Sequence, residues 1–207
     1  MTSCRVLARF ALFCAVTLAA AGVARAAPAS LPDPHLTPGA INPDVTEATI
    51  GRTICVRGWT ATVRPPVSYT EPLKKRQIRE YGYRDRRPWQ YEEDHLIPLD
   101  LGGAPSDARN LWPEPHFGPH QWGSYAKDRL EVRLVRLVCR HRLSLNKARA
   151  MIAHDWIRAY RRFIGDRPDN APRHDEHDHG WHGAWHDSWH HHWHHEYWHR
   201  ESWHHGW

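Results

Sequence analysis

YEEDHLIPLDLGGAPSDARNLWPEP, residues Tyr91 to Pro115, places a carboxylate beside a histidine, Asp94-His95, at the end of a short run that alternates like a strand. Pro98, Gly102, Gly103 and Pro105 then impose a loop, in which the glycines permit backbone angles closed to other residues. Asn110-Leu111-Trp112 leads a second short apolar run that fits a strand crossing behind the first.

Helical patterns flank this stretch. Upstream, the reading places a helix from Thr70, as N-cap, with Glu71 and Pro72 in its first turn, to a stop at Gly82. Leu73, Ile78 and Tyr81 give it a narrow apolar stripe, while Lys74, Lys75, Arg76 and Arg79 make a basic face. That face could lie along phosphates or be an ordinary solvated surface. Arg84, Arg86 and Arg87 follow closely. Downstream, Leu130, Leu134, Leu137, Val138 and Val135 have the spacing of a buried face on a helix from Ser124 to about His141. Ser144 caps a second helix whose stripe is Ala148, Ile152, Trp156, Ala159, Tyr160 and Phe163, with Gly165 as its stop. His154 and Trp156 read as surface or packing residues.

Towards the N-terminus, ATIGRTICVRGWTATV, residues 48–63, is rich in Thr, Val and Ile with turn residues at Gly51 and Gly58, which predicts two short strands or a hairpin. Residues 27–47 hold five prolines before Asp44 and read as an extended linker without chemistry of its own. Arg5 and Arg9 flank the apolar run Phe10 to Val23, and Ala24-Arg25-Ala26 offers small residues where a signal peptidase reads. Residues 1–26 are therefore expected to be an export signal, which predicts a periplasmic or secreted chain with no transmembrane segment after cleavage. Cys4 and Cys14 lie within it, so Cys55 and Cys139 remain, and an oxidising compartment predicts one disulfide between them.

Charge divides the chain. Residues 48–165 carry 22 Lys and Arg against 12 Asp and Glu, whereas residues 166–207 carry 3 against 8. The basic surplus favours a polyanionic partner through counterion release. The tail is compositionally biased, with 13 His and 7 Trp in its last 34 residues. His182, His186, His190 and His194 recur every four residues, a spacing that on a helix suits a transition-metal ion. The interleaved tryptophans would equally suit a membrane surface, and a disordered tail under weak constraint is the plainer reading.

Asp-His followed by Leu-Ile-Pro-Leu, a Gly-Gly pair and then Asn-Leu resembles the HNH endonuclease family, whose ββα-metal motif hydrolyses phosphodiester bonds. The resemblance covers about Thr53 to Ile164 and implies an α+β fold, a small ββα-metal core with additional helices. By that resemblance His95 is the general base, Asp94 a metal ligand, and Asn110 the residue that braces the loop. Such hydrolysis needs a nucleophilic water and a cation that stabilises charge on the phosphorane and leaving oxygen. A neutral His can take the water's proton and a carboxylate can hold a hard divalent ion. One divalent ion is implied, with Mg, Mn, Zn and Ni not distinguished. The family's further ligand is sought among His116, His120, Asp128 and Glu131, with His120 and Asp128 foremost. Lys127, Asp128 and Glu131 match a Lys-Asp-x-x-Glu element of the branch that this chain most resembles. The implied activity is an exported endonuclease of low sequence specificity on DNA, with RNA as a second substrate class. Lys74, Lys75, Arg76, Arg79, Arg86 and Arg87 are its candidate backbone contacts. The competing expectation is an HNH-like scaffold that binds nucleic acid without cleaving it, or holds metal through its tail.

Overall fold

A computed structural model describes residues 29–168. The expected export signal, and the tail with its four-residue histidine repeat, lie outside the described residues. Six elements organise the chain: α1 (Trp59–Val63), α2 (Val67–Glu80), β1 (Tyr91–His95), β2 (Leu111–Pro115), α3 (Ser124–Cys139) and α4 (Leu145–Phe163), joined by short 3-10 turns. The architecture is mixed helix and sheet, α+β.

The strands pair antiparallel, with Tyr91 opposite Pro115, Asp94 opposite Trp112 and His95 opposite Leu111. They form the two arms of a hairpin whose connection is the Pro/Gly loop, rather than crossing strands. Antiparallel neighbours need only such a loop, and the prolines of β2 are tolerated because a two-stranded sheet is all edge.

α3 follows because Ala126, Leu130, Leu134 and Val138 recur every four residues and align on one side of a helix, all of them buried. Leu137 stands at the margin of that stripe and is half-buried. α4 begins where the Ser144 side chain accepts from the Lys147 N–H, and it buries Leu145, Ala148, Ile152, Trp156, Ala159 and Tyr160. The two helices pack face to face as the main core. Each fully buried Leu or Ile contributes about 1.5–3 kcal/mol, so truncating Leu130 to Ala would cost about 2–5 kcal/mol. Trp122 stands edge-on to both Trp156 and Tyr160, fixing the entry into α3 against α4.

Three local readings change. Residues 48–63 form no strand: Ile50 and Ile54, one helical turn apart, are buried in the core, and Gly58 at φ 80° turns the chain into α1. The β-branched composition is overridden by burial at helical spacing and by the Cys55–Cys139 disulfide, which ties this segment to the end of α3. That bridge, 84 residues apart in sequence, restricts the unfolded chain and contributes about 4 kcal/mol in the loop-entropy account.

α2 starts at Val67, after Pro66, rather than at Thr70, and Thr70 is buried within it. The Pro66 carbonyl accepts from the N–H groups of Tyr69 and Thr70, so the first turn is complete before the expected cap. Pro72 then lies inside the helix, where its missing N–H leaves the Ser68 carbonyl without its usual donor.

Residues 29–47 form neither helix nor strand, turn at residues 34–36 and 43–44, and are docked rather than free. Thr37 and Val45 are buried, the Gly39 N–H donates to the Arg109 carbonyl, and the Ala104 N–H donates to the Ala40 carbonyl. Ile41 pairs with Gly103 as an isolated bridge. A segment without apolar periodicity still packs, because its backbone hydrogen-bonds to the loop after His95. Among the described residues no helix is long and apolar enough to cross a membrane.

Candidate functional site

The hairpin connection carries the site, and Asn110 organises it. Wholly buried, its side-chain oxygen accepts from the N–H groups of Ile97 (3.0 Å) and Ala40 (3.4 Å). Its amide donates to the carbonyls of Ile97 (2.9 Å) and Ala104 (3.2 Å). One amide therefore ties three separate segments and replaces the ladder hydrogen bonds that a longer hairpin would have supplied. A Cβ on Gly103 would lie 1.7 Å from the Ile97 carbonyl oxygen, so the Asn110 clamp closes only over a glycine. Arg149 holds the other side: Nε donates to the Leu101 carbonyl (2.7 Å), and one terminal nitrogen to those of Val45 (2.9 Å) and Gly102 (3.1 Å).

This frame presents His95. Its Nε2 lies 2.8 Å from the Pro105 carbonyl oxygen. A carbonyl only accepts, so the proton sits on Nε2 and the lone pair on Nδ1. Burial pushes the imidazole down to about 4, outweighing the Pro105 hydrogen bond and the Asp94 charge, with Arg64 and Lys127 adding to the depression. His95 is neutral at physiological pH, with its tautomer set by the loop. Arg64, exposed just before α2, thus brings positive charge towards the imidazole.

Successive strand residues point to opposite faces, so Glu93 turns towards α2 and Asp94 towards α3. Asp94 meets Lys127, whose Nζ donates to Asp94 Oδ2 (2.6 Å), Glu131 Oε1 (2.5 Å) and the His95 carbonyl (2.9 Å). Lys127 is only 1 % exposed. Its three N–H groups are matched by three oxygens, and these carboxyls raise its pKa against the effect of burial. Burial pushes Asp94 up, but Lys127 and a hydrogen bond from Glu114 together hold its carboxyl below the ordinary range.

Three carboxyls and one ammonium cannot all be charged in such a place. Glu114 is fully buried, faces Asp94 and meets no N–H donor among the described residues. Burial and the Asp94 charge push it well above the usual carboxylate range, so it keeps its proton beside Asp94. Burial raises Glu131 in the same way despite Lys127. The cluster is thereby close to neutral, with one carboxylate and one ammonium.

The expected metal set does not converge. Asp94 is already neutralised by Lys127, His120 lies exposed on a turn at φ 55°, and Asp128 is half-buried on α3. His116 shares a hydrogen bond of 3.0 Å with Ser124 and stacks on Tyr125. No three His, Cys, Asp or Glu side chains among the described residues are grouped to hold an ion. The donor chemistry therefore does not fit a resident metal ligated by Asp94.

The basic face is also narrower than expected. Lys74 is buried and paired with Glu71 at 2.6 Å, which withdraws it from solvent. Lys75, Arg76, Arg79, Arg86 and Arg87 are exposed; Arg76 lies 3.4 Å from Glu80, and Arg87 pairs with Asp85 at 2.6 Å. Arg87 also lies over the Trp89 ring, 54 % exposed, just ahead of β1.

Glu114, Arg149 and Arg64 were not singled out from the sequence. Arg149 had a visible signal, since it interrupts an apolar stripe between Ala148 and Ile152, where a charge must find buried partners. Glu114, between two prolines, gave none. Comparison with family models, with characterised proteins and with solved structures finds no match.

Proposed function

We propose that this chain is a nuclease of the HNH type that hydrolyses phosphodiester bonds in DNA, and in RNA as a second substrate class, with low sequence specificity. One observation carries the reading: the Pro105 carbonyl accepts a hydrogen bond from Nε2–H of a neutral, loop-held His95, leaving the Nδ1 lone pair as a base. In the proposed step Nδ1 removes a proton from water as the water oxygen bonds to phosphorus. The bond to the leaving oxygen then breaks, and that oxygen takes a proton from solvent. Arg64 would meet the charge on the phosphorane, and Arg86, Arg87 and Trp89 would receive the flanking strand by charge and stacking. Asn110 acts through the loop, as a positioning residue. The Cys55–Cys139 disulfide is consistent with an oxidising destination, as the proposed export requires.

The test is plasmid nicking by the full mature chain in chelator and with added Mg, Mn, Zn or Ni, beside His95→Ala. Nicking that disappears in the variant supports the assignment; equal nicking by both proteins removes His95 from its role. A second reading is favoured by the pairing of Asp94 with Lys127: a scaffold that binds nucleic acid without cleaving it. Retained binding with no cleavage under any of these conditions would select it.

A further inference from the structure

The cluster under the hairpin gathers oxygen donors of the kind that hold a hard cation, but around an ammonium. Two carboxyl oxygens, one from the Asp94 carboxylate and one from the raised Glu131 carboxyl, and one backbone carbonyl, from His95, converge on a single point, with the Glu114 carboxyl behind Asp94. An all-oxygen set with surplus acid is the donor chemistry of Ca, Mg or Mn. At that point sits an ammonium, and it is not a side chain that can swing aside. Lys127 projects from α3 between Ala126 and Leu130, both without exposure, and its own exposure is 1 %. Release would leave Asp94 ionised and unpaired in the interior.

We propose that the Lys127 ammonium is the resident cation of this hairpin-and-helix unit. It takes the place beside Asp94 that a divalent ion would occupy, so the folded chain excludes metal there. Removing the ammonium opens a divalent site with Asp94, Glu131 and the His95 carbonyl as ligands. The inference rests on the ββα reading of the site but not on cleavage, and its test reads metal binding rather than activity.

The experiment is thermal unfolding of the full mature chain in chelator and with Mn, with Lys127→Ala and Lys127→Ala/Asp94→Asn in parallel. Histidines of the tail that bind Mn would do so in the folded and unfolded chain alike, so only an ion held by the folded core moves Tm. The wild type is expected to show the same Tm with and without Mn. Lys127→Ala, destabilised in chelator, is expected to recover several degrees with Mn, and the double variant to lose that recovery. A rise in wild-type Tm with Mn overturns the proposal without recourse to any variant. A folded Lys127→Ala protein that gains nothing from Mn overturns it as well. Neither result bears on whether His95 cleaves nucleic acid, which the nicking assay decides separately.

Discussion

Glu93 and Asp94 are neighbours on β1, yet their carboxyls have opposite fates. Asp94 faces α3 and receives the Lys127 ammonium at 2.6 Å, so it is held ionised. Glu93 faces α2, where Lys74 is bonded to Glu71 and acts on it only through its field. Both Glu93 oxygens are buried without a hydrogen-bond partner, and burial pushes its carboxyl up to about 9. A lysine in the neighbourhood is therefore not enough. What separates the two faces is whether the ammonium is delivered to the carboxylate or already bound elsewhere.

The largest expected effect tests the delivered ammonium. Lys127→Met should cost about 3–5 kcal/mol, because it leaves a buried carboxylate unpaired. Denaturant titration measures this, and a cost under about 1 kcal/mol would mean that Asp94 is not held by charge. Next comes His95, whose ring carbonyl bond ends the same strand. Its folded pKa of about 4 lies below the ordinary 6.5, so the unfolded chain protonates first as pH falls. Stability contributed by neutral burial is whole above about 6.5 and declines towards pH 4, by about 3 kcal/mol if this residue acts alone. His95→Gln should flatten that decline in unfolding free energy between pH 7 and 4.

Glu93 should behave with the opposite sign. A carboxyl raised from 4.5 to about 9 stays protonated in the fold while the unfolded chain ionises, so its contribution is lost as pH rises above 4.5. The difference between wild type and Glu93→Gln should grow in favour of the variant by at most about 1.4 kcal/mol per pH unit between 5 and 8. A constant difference over that range would break the comparison. The smallest effect is expected for Lys74→Met, about 1 kcal/mol or less, since its partner Glu71 is near the surface and can return to water. Were Lys74→Met as costly as Lys127→Met, the two faces would be alike after all.

The parts of this arrangement that were legible in the sequence are those fixed by short-range pattern. Four-residue spacing placed α3 and α4, alternation placed β1, and Gly102-Gly103 marked the loop whose closeness to Ile97 requires a glycine. The cysteine pair was readable because only two cysteines follow the expected signal. Residues 48–63 were misleading, since Thr, Val and Ile favour strands only where a neighbouring strand is available to pair. Neither the basic face that held Lys74 nor the Lys-Asp-x-x-Glu element that held Lys127 showed that these lysines are buried, because that depends on carboxylates that lie 3 and 33 positions away. Asp94 and Glu131 were placed in one set through resemblance, whereas Glu114 joins them by tertiary packing that no spacing in the chain announces. Asn110 was identified through resemblance; its four hydrogen bonds give the physical reason for an amide there.

The docked N-terminal segment has a consequence for how the chain acquires this fold. Trp156 Nε1 donates to the Ser30 carbonyl across 126 positions, and Arg149 donates to the Val45 carbonyl across 104. Loop-closure entropy must be met before such distant contacts return anything, so folding is expected to be slow for a chain of this size. The loop under His95 is seized by Arg149 from α4 and by the Ala40 backbone from the opposite end of the described chain. A nascent chain emerging as far as Trp112 would carry the Asp94-His95 pair without the frame that neutralises the one and fixes the tautomer of the other. The frame around the Asp94-His95 pair is therefore expected to close late, once α4 is in place to supply Arg149.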